Sequence, residues 1–303
     1  MPMQGLPGWN GIPPGYVGEE SGRGRWVVRE RDADVLRDAG FGPDGDARLA
    51  PSQLAGRRPL FELEGAGGAF LVRRFSHGGL GRWLTGERFL DAARPFRELE
   101  LSLALRELGI PTPEVVAARA RRAGLVGWRL EVVTRRVPRA LDLGYVLGLA
   151  REGAVEPRAL ARIVTALGRL VRRLHDAGFQ HADLQPNNVL VAGSALEGGE
   201  PELWLIDLDR SRLRGRLSTR ERRDNLRRLF RHVRRRELER GRVLERTAYA
   251  RFLRGYEESR EARKADWRAI ARRHALVSGL HRLGWVLERA FGRSADPRDR
   301  GSG

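Results

Sequence analysis

The spacing of hydrophobic residues divides the chain into two parts. Before about residue 137, short apolar runs alternate with turns rich in Gly, Pro or charged residues, a pattern typical of β-strands. Two of these runs flank a Gly-rich turn at 64–68 and therefore predict a hairpin. The expected strands cover residues 26–31, 60–63, 69–75, 115–118 and 129–134.

Helical spacing first appears over residues 96–108. Pro95 precedes this segment and Gly109 ends it, which is the usual distribution of these two residues around a helix. A longer helical pattern begins at Pro157, and its aliphatic residues recur every three or four positions as far as Leu174. We therefore expect one helix among the strands and a long helix after them.

The order of the predicted elements favours an α+β fold with two lobes. Two short strands, 189–191 and 203–206, follow the long helix, and the chain after Thr219 has helical spacing and many arginines. The predicted N-lobe, over 25–137, is small and β-rich with one key helix. The predicted C-lobe, over 138–291, is mainly helical.

Both ends of the chain differ from these lobes in composition. Residues 1–24 are rich in Gly and Pro, and residues 292–303 are rich in Gly and charged residues. Segments of this kind are typical of flexible tails. We therefore expect the folded part to lie between them.

Composition excludes several kinds of site. Of the 303 residues, 41% are hydrophobic and 32% are charged, as in a soluble globular protein. Cysteine is absent, so disulfides, thiolate metal sites and a cysteine nucleophile are excluded. The net charge of +18 predicts attraction to polyanions. Lys264, the one lysine, is followed by Ala265, which excludes a P-loop phosphate site.

The segment from His181 to Asn188 has the form H-x-D-L-x-x-x-N and leads into a predicted strand. The next strand ends in Asp207, and the hairpin between the two strands brings Asn188 and Asp207 to the same end. This is the pattern that phosphoryl transfer requires. We expect Asp183 to accept the proton of an acceptor hydroxyl, and Asn188 and Asp207 to hold Mg²⁺ at the phosphates of ATP. His181 belongs to the same catalytic segment and is expected to support its backbone; in the alternative reading, these are ordinary loop and cap residues.

The N-lobe should supply a cation and an acid. Since no lysine is available there, an arginine in the second strand of the predicted hairpin must pair with the ATP phosphates. Arg73 and Arg74 lie on opposite faces of that strand, and we favour Arg73, with Glu98 as its partner on the helix. For the loop that covers the phosphates, Gly56 is a better candidate than the G-x-G-x-x-G match at 40–45, which does not follow a strand.

With these residues in view, the chain resembles the lipopolysaccharide-core sugar kinases, and among them the kinases of 3-deoxy-D-manno-octulosonic acid (Kdo). Two features of this sequence are similar to those of these kinases. The first is an arginine in a strand that is followed by Gly-Gly-Leu, and the second is Asp-x-Asp-Arg, which begins at Asp207. The likeness extends over roughly residues 56–256. It is carried by residues 71–75, 78–80, 96–99, 108–113, 181–188, 205–210, 225–229 and 252–256.

The resemblance implies a protein-kinase-like fold, the use of ATP and Mg²⁺, and phosphorylation of a Kdo hydroxyl on the lipid A precursor. It also implies a place at the cytoplasmic face of the inner membrane. Gln185-Pro186 and His77 depart from the residues usual in Kdo kinases, and both departures concern the acceptor. The alternative acceptors are a heptose, an aminoglycoside or a protein hydroxyl. The alternative function is a pseudokinase-like module that binds membrane or nucleic acid.

The arginine-rich helix fits an anionic acceptor. Residues 220–240 contain ten arginines and four acids among apolar positions, so one face is expected to pack and the other to meet anionic lipid or solvent. No nucleic-acid recognition motif accompanies these arginines, so nucleic acid is not expected as a partner. Arg210 and Arg212 are candidates to bind the carboxylate of a sugar acid, and a salt bridge with Asp209 is the alternative for Arg210.

The chain has no run of 18 apolar residues, and its first 18 residues lack the pattern of a secretory signal. We therefore expect a cytoplasmic protein that lies peripherally on the inner membrane.

Overall fold

The contacts of the chain divide it after Tyr256 into a larger unit and a second unit that begins at Glu257. In the second unit, residues 260–269 are helical. The division lies earlier than the predicted end of the C-lobe at residue 291, and the predicted tail over 292–303 is outside the described residues. The computed structural model describes residues 11–45, 49–52, 60–65, 68–76, 88–124 and 127–269.

An antiparallel sheet of seven strands forms the first part of the larger unit, in the order β1-β2-β6-β7-β5-β4-β3. The predicted hairpin is confirmed as the pair β4–β5, although residues 66–67 of its turn are outside the described residues. The strands are β1 (Tyr16–Glu20), β2 (Gly24–Arg29), β3 (Ala50–Pro51), β4 (Leu60–Gly65), β5 (Gly68–Arg74), β6 (Val115–Arg122) and β7 (Trp128–Arg135).

The prediction of a flexible tail over residues 1–24 was wrong for the segment that forms β1. This strand pairs with β2 along its whole length. The hydroxyl of Tyr16 also donates a hydrogen bond to the carbonyl oxygen of Val115, at 2.7 Å. The strand was not predicted because it lies beside Gly and Pro residues and because its five residues are too few to show a clear alternation of apolar and polar positions.

Helices cover both faces of the sheet. The short α1 (Ala33–Asp38) packs on one face, in a core that includes Trp26, Phe70 and Val72. The predicted key helix is confirmed as α2 (Arg94–Glu107), which packs on the other face through Phe96. Because both faces are covered, the first six residues of β6 are all buried; five of them are Val or Ala, and the other, Arg119, forms a buried ion pair with Glu131.

The second part of the larger unit is mainly helical, as predicted. The sequence did not reveal its first helix, which is too short to show a clear period. Its helices are α3 (Leu143–Arg151), α4 (Pro157–Asp176), α5 (Thr219–Arg240) and α6 (Arg246–Tyr256). Its strands are β8 (Ala140–Asp142), β9 (Phe179–Gln180), β10 (Val189–Ala192), β11 (Leu203–Leu205) and β12 (Arg212–Leu213).

A glycine turn connects the end of α4 to the strand that precedes the catalytic segment. Gly178 has φ of +76°, and a Cβ atom there would lie 1.7 Å from the carbonyl oxygen of Arg214. Any other residue would therefore force the backbone apart at this point. The turn places β9 beside β12 and directs the chain into residue 181.

None of the helices among the described residues is both long enough and apolar enough to cross a membrane.

Candidate active site

The histidine of the predicted motif holds the backbone of the catalytic segment. His181 is fully buried; its Nε2 donates to the carbonyl oxygen of Ile206 at 3.1 Å, and its Nδ1 accepts from the backbone N–H of Asp183 at 3.1 Å. Burial lowers the pKa of His181, and its hydrogen bond with Ile206 does not overcome this effect. A neutral ring suits these two bonds. Both of its nitrogens contact backbone, in agreement with the expectation that His181 supports this segment, so we describe it as a positioning residue and not as a catalytic one.

Asp183 presents its carboxylate to the surface. The side chain is 43% exposed, so one side of it is open to an acceptor. The amide nitrogen of Gln185 donates to Oδ2 at 2.5 Å. His232 of α5 approaches from the other side, with its Nε2 at 3.6 Å from Oδ1. The carboxylate is thus fixed in orientation by neighbours while an edge remains accessible, as a general base requires.

Asn188 and Asp207 lie at the same end of the β10–β11 hairpin, as predicted. The carbonyl oxygen of Asn188 accepts a hydrogen bond from the N–H of Ile206 at 3.0 Å, immediately before Asp207. The amide nitrogen of Asn188 donates to the carbonyl oxygen of Asp183 at 2.8 Å, which leaves its amide oxygen without a hydrogen bond in the described part of the chain. Asp207 has φ of +59°, a strained conformation for a residue other than glycine that is common at functional sites.

Arg73 of β5 joins the sheet to this centre. Its guanidinium forms a buried ion pair with Glu98 of α2, and its Nη1 lies 3.4 Å from Oδ1 of Asp207. Burial lowers the pKa of Arg73, but Glu98 and Asp207 raise it by more, so the guanidinium remains charged. Arg74 instead contacts Glu131 at 3.1 Å on the other side of the strand. The structure therefore brings Arg73, and not Arg74, to the predicted partners.

A second ion pair, which the sequence did not predict, joins the sheet part of the larger unit to its mainly helical part. The guanidinium of Arg94, the first residue of α2, binds the carboxylate of Asp209 through two nitrogens, with its Nε at 3.2 Å from Oδ1. Arg94 also packs over the ring of Phe89, 4.7 Å from the ring centre. The two aspartates after β11 thus face two different arginines. The spacing Asp-x-Asp suggests a pair of acids, but no local pattern identifies Arg94 as the partner.

The helix α5 packs along the catalytic segment. The amide nitrogen of Asn225 donates to the carbonyl oxygen of His181 at 2.7 Å, and Nη2 of Arg236 donates to the side-chain oxygen of Asn187 at 2.8 Å. The apolar face expected of this helix is present, with the exception of Leu238, which is 78% exposed. The sequence predicted an amphipathic helix but not that its polar edge supports the catalytic loop.

The imidazole of His175, in the last turn of α4, lies in a buried network behind this segment. Its Nε2 donates to the side-chain oxygen of Asn225 at 3.1 Å, and its Nδ1 accepts from the hydroxyl of Tyr256 at 2.9 Å. Burial lowers the pKa of His175 to about 4, although the hydrogen bond with Asn225 opposes the shift. The network thus connects three helices to the backbone of His181 and requires a neutral imidazole.

This network predicts a pH-dependent stability. The unfolded chain takes up a proton on His175 below about pH 6.5, whereas the folded chain does so only near pH 4. Stability is therefore full above pH 6.5 and falls as the pH drops towards 4, by roughly 3 kcal/mol at the lower limit. In urea unfolding, the stability gap between the wild type and His175→Gln should shrink over this range. A gap that stays constant from pH 7.5 to 4.5 would contradict the role of His175.

Of the remaining predicted site residues, the structure describes Arg210 and Arg212 but not Gly56. Arg210 is exposed and its Nε lies 3.9 Å from Oδ2 of Asp209, which is a weak contact. Arg212 is exposed in β12, opposite Gln180. Their proposed contact with an acceptor carboxylate stays a prediction. Gly56 is outside the described residues, as is the Gly-Gly-Leu sequence at 78–80.

The residues present suit a magnesium nucleotide. The amide oxygen of Asn188 and the carboxylate of Asp207 are hard oxygen donors of the kind that Mg²⁺ prefers, and Mg²⁺ usually takes only one or two protein carboxylates beside substrate phosphates. The described residues contain no cluster of three or more His, Cys, Asp or Glu that could hold a metal ion. The Nη1 atom of Arg73 is buried without a hydrogen-bond partner in the described structure and is available to a phosphate oxygen.

Comparison with solved structures supports the predicted fold. A structure described as WaaP in complex with acyl carrier protein is similar to this chain with a TM-score of 0.51 and 22% sequence identity. The match covers 74% of this chain and 88% of that one. The expectation of a protein-kinase-like fold with a β-rich lobe and a helical lobe is thereby confirmed.

Sequence comparison then gives the family. The 3-deoxy-D-manno-octulosonic acid kinase of Stenotrophomonas maltophilia strain R551-3 is 31% identical over 68% of this chain and 76% of its own. The kinase of the same name from Xanthomonas axonopodis pv. citri is 31% identical over 76% of this chain and 86% of its own. A model of the lipopolysaccharide kinase (Kdo/WaaP) family matches residues 78–256.

The chain belongs to the lipopolysaccharide kinase (Kdo/WaaP) family. It is therefore a phosphotransferase of lipopolysaccharide core biosynthesis that acts on a sugar hydroxyl. The resemblance seen in the sequence is confirmed.

Proposed function

We propose that this enzyme transfers the γ-phosphate of ATP, as its magnesium complex, to a hydroxyl of a Kdo sugar on the lipid A precursor. The observation that carries the proposal is the convergence of Asp183, Asn188 and Asp207 with Arg73 at one end of the β10–β11 hairpin. These are a base, two oxygen ligands and a cation, which together are the parts that phosphoryl transfer uses. The names of the relatives support Kdo as the acceptor.

In the proposed reaction, Asp183 orients the acceptor hydroxyl and accepts its proton. The acceptor oxygen forms a bond to the γ-phosphorus while the bond between that phosphorus and the bridging oxygen breaks, and ADP leaves. Arg73 binds phosphate oxygens of the nucleotide and is itself held in place by Glu98. Asn188 and Asp207 would hold the Mg²⁺ ion, which neutralises the charge of the phosphates when it is bound.

The proposal includes a peripheral location on the cytoplasmic face of the inner membrane. A net charge of +18 favours an anionic surface, and each arginine near such a surface contributes about 1 kcal/mol of attraction. The outer side of α5 carries arginines that are exposed in the structure, among them Arg231, Arg234 and Arg235. Binding to vesicles that contain anionic lipid, but not to neutral vesicles, is the expected result.

A comparison of acceptors tests the proposed function. The purified protein is incubated with ATP and Mg²⁺ and, in separate reactions, with Kdo-bearing lipid A precursor, a heptose-bearing core, an aminoglycoside and a generic protein substrate. Mass spectrometry is expected to show a product one phosphate heavier from the first acceptor only. A heavier product from another acceptor alone would replace Kdo by that acceptor. ATP binding without transfer to any acceptor would contradict the proposed reaction.

A further inference from the structure

One arginine of α5 lies between the two residues through which this helix contacts the catalytic segment. Arg228 is three residues after Asn225 and four before His232, so the three share one face of the helix. Asn225 binds the carbonyl oxygen of His181, and His232 lies 3.6 Å from the carboxylate of Asp183. Arg228 is therefore placed alongside residues 181–183, next to the proposed base.

Arg228 differs from the half-buried Arg222 and Arg227 of this helix because no acid pairs with it in the described residues. It is half-buried, and within the described part of the chain it makes no hydrogen bond or ion pair. The positive charge of Arg228 is the smallest of the influences on the pKa of His181 and lowers it, in agreement with a position near this segment. Other arginines of α5 have partners, namely Arg222 with Asp176, Arg227 with Asp224, Arg235 with Glu239 and Arg236 with Asn187.

A guanidinium that is partly withdrawn from water normally has an anionic partner, because burial of an unpaired charge is unfavourable. The planar fork of arginine binds a carboxylate through two parallel hydrogen bonds, and this geometry fixes both the position and the orientation of the bound group. A carboxylate held there would belong to the same sugar whose hydroxyl lies on Asp183, since Arg228 shares the helix face through which Asn225 and His232 contact residues 181–183.

We propose that Arg228 binds the carboxylate of the acceptor sugar acid and so selects an anionic sugar and orients its hydroxyl towards Asp183. The assignment rests on the proposed function, because it concerns the acceptor of that reaction. It replaces neither Arg210 nor Arg212 as a candidate, but it differs from them in that Arg228 is partly buried and lies beside the base. The helix, expected from its sequence to pack through one face and to meet anionic lipid or solvent with the other, thus also carries a residue that determines specificity.

The test compares Arg228→Gln with the wild type on three acceptors: the Kdo-bearing lipid A precursor, the same molecule with its Kdo carboxyl group as a methyl ester, and the same molecule without its lipid phosphates. The wild type should prefer the free acid to the ester. Loss of a charged hydrogen-bonding partner should raise the KM of Arg228→Gln for the free acid about 10- to 100-fold, while its KM for ATP is unchanged. The variant should no longer distinguish the acid from the ester.

Two further variants separate recognition from structure. Arg254→Gln removes an exposed arginine from α6, to which no role in binding is assigned, and should behave as the wild type. Arg228→Lys keeps the charge without the fork and should recover part of the affinity for the acid. Equal losses on acid and ester would show a structural role and overturn the proposal, as would a loss that disappears with the acceptor lacking lipid phosphates. If the wild type transfers phosphate to none of the three acceptors, the proposed function itself fails, and this assignment with it.

Discussion

Replacement of Asp183 by Asn is expected to slow phosphoryl transfer by about 10²- to 10⁴-fold, because the amide cannot accept the proton of the acceptor hydroxyl. The carboxylate is fixed by Gln185 and approached by His232. Its contact with the proposed magnesium ligand Asn188 is long, 3.5 Å from the amide nitrogen, and that nitrogen also donates to the backbone carbonyl of Asp183, which the variant keeps. The affinity for ATP should therefore be nearly unchanged. Initial rates with saturating ATP, together with the Kd for ATP from calorimetry, measure the two effects separately.

The matched control for this variant is Asp38→Asn, which makes the same change at an exposed aspartate at the end of α1. This control should keep the rate and melting temperature of the wild type. If Asp183→Asn also keeps the rate, Asp183 is not the base. A parallel loss of ATP affinity would instead show that Asp183 helps to bind the nucleotide.

Replacement of Arg73 by Met is expected to destabilise the fold by about 3–5 kcal/mol and to weaken ATP binding strongly. The change leaves the carboxylate of Glu98 buried and unpaired, which is far more costly than the loss of a surface ion pair. It also removes the cation that lies 3.4 Å from Asp207. Chemical unfolding measures the first effect, and nucleotide binding measures the second.

Because Arg73→Met is expected to fold poorly, two further variants keep the prediction testable. The double variant Arg73→Met with Glu98→Leu removes both charges, so it should regain most of the stability but not the affinity for ATP. Arg74→Gln alters the adjacent residue of the strand and should leave ATP binding intact, since Glu131 retains Arg119 at 2.7 Å. Normal ATP affinity in the double variant, or a loss of affinity in Arg74→Gln, would contradict the assignment of Arg73.

Much of the fold follows from local patterns in the sequence. Helix α4 was visible because its apolar residues recur at helical spacing between Pro157 and a terminating glycine, so the pattern, start and stop signals agree. The two-residue strands β9 and β12 could not be predicted in this way. They exist because Gly178 allows the chain to pass close to Arg214, which is a contact between segments that are distant in sequence.

The candidate site likewise contains residues that a local motif predicts and contacts that only the tertiary structure reveals. Asp183, Asn188 and Asp207 could be proposed from the sequence because their spacing and the predicted strands around them form one motif. Arg73 was inferred from the absence of lysine, and its contact with Glu98 agrees with that prediction. The contacts of Arg94 with Asp209 and of His232 with Asp183 were not predicted, because each residue lies on a helix whose orientation depends on tertiary packing and not on a local signal.

The central claim is that one centre, built around Asp183, moves phosphate from ATP to a hydroxyl of an anionic sugar. The most direct test is a single-turnover experiment with ATP labelled at the γ-phosphate and the Kdo-bearing lipid A precursor, run side by side for the wild type and Asp183→Asn. The label should appear on the sugar with the wild type and be slowed by at least about 10²-fold with the variant. Label that stays in ATP or appears only in inorganic phosphate, or equal rates for the two proteins, would contradict the claim.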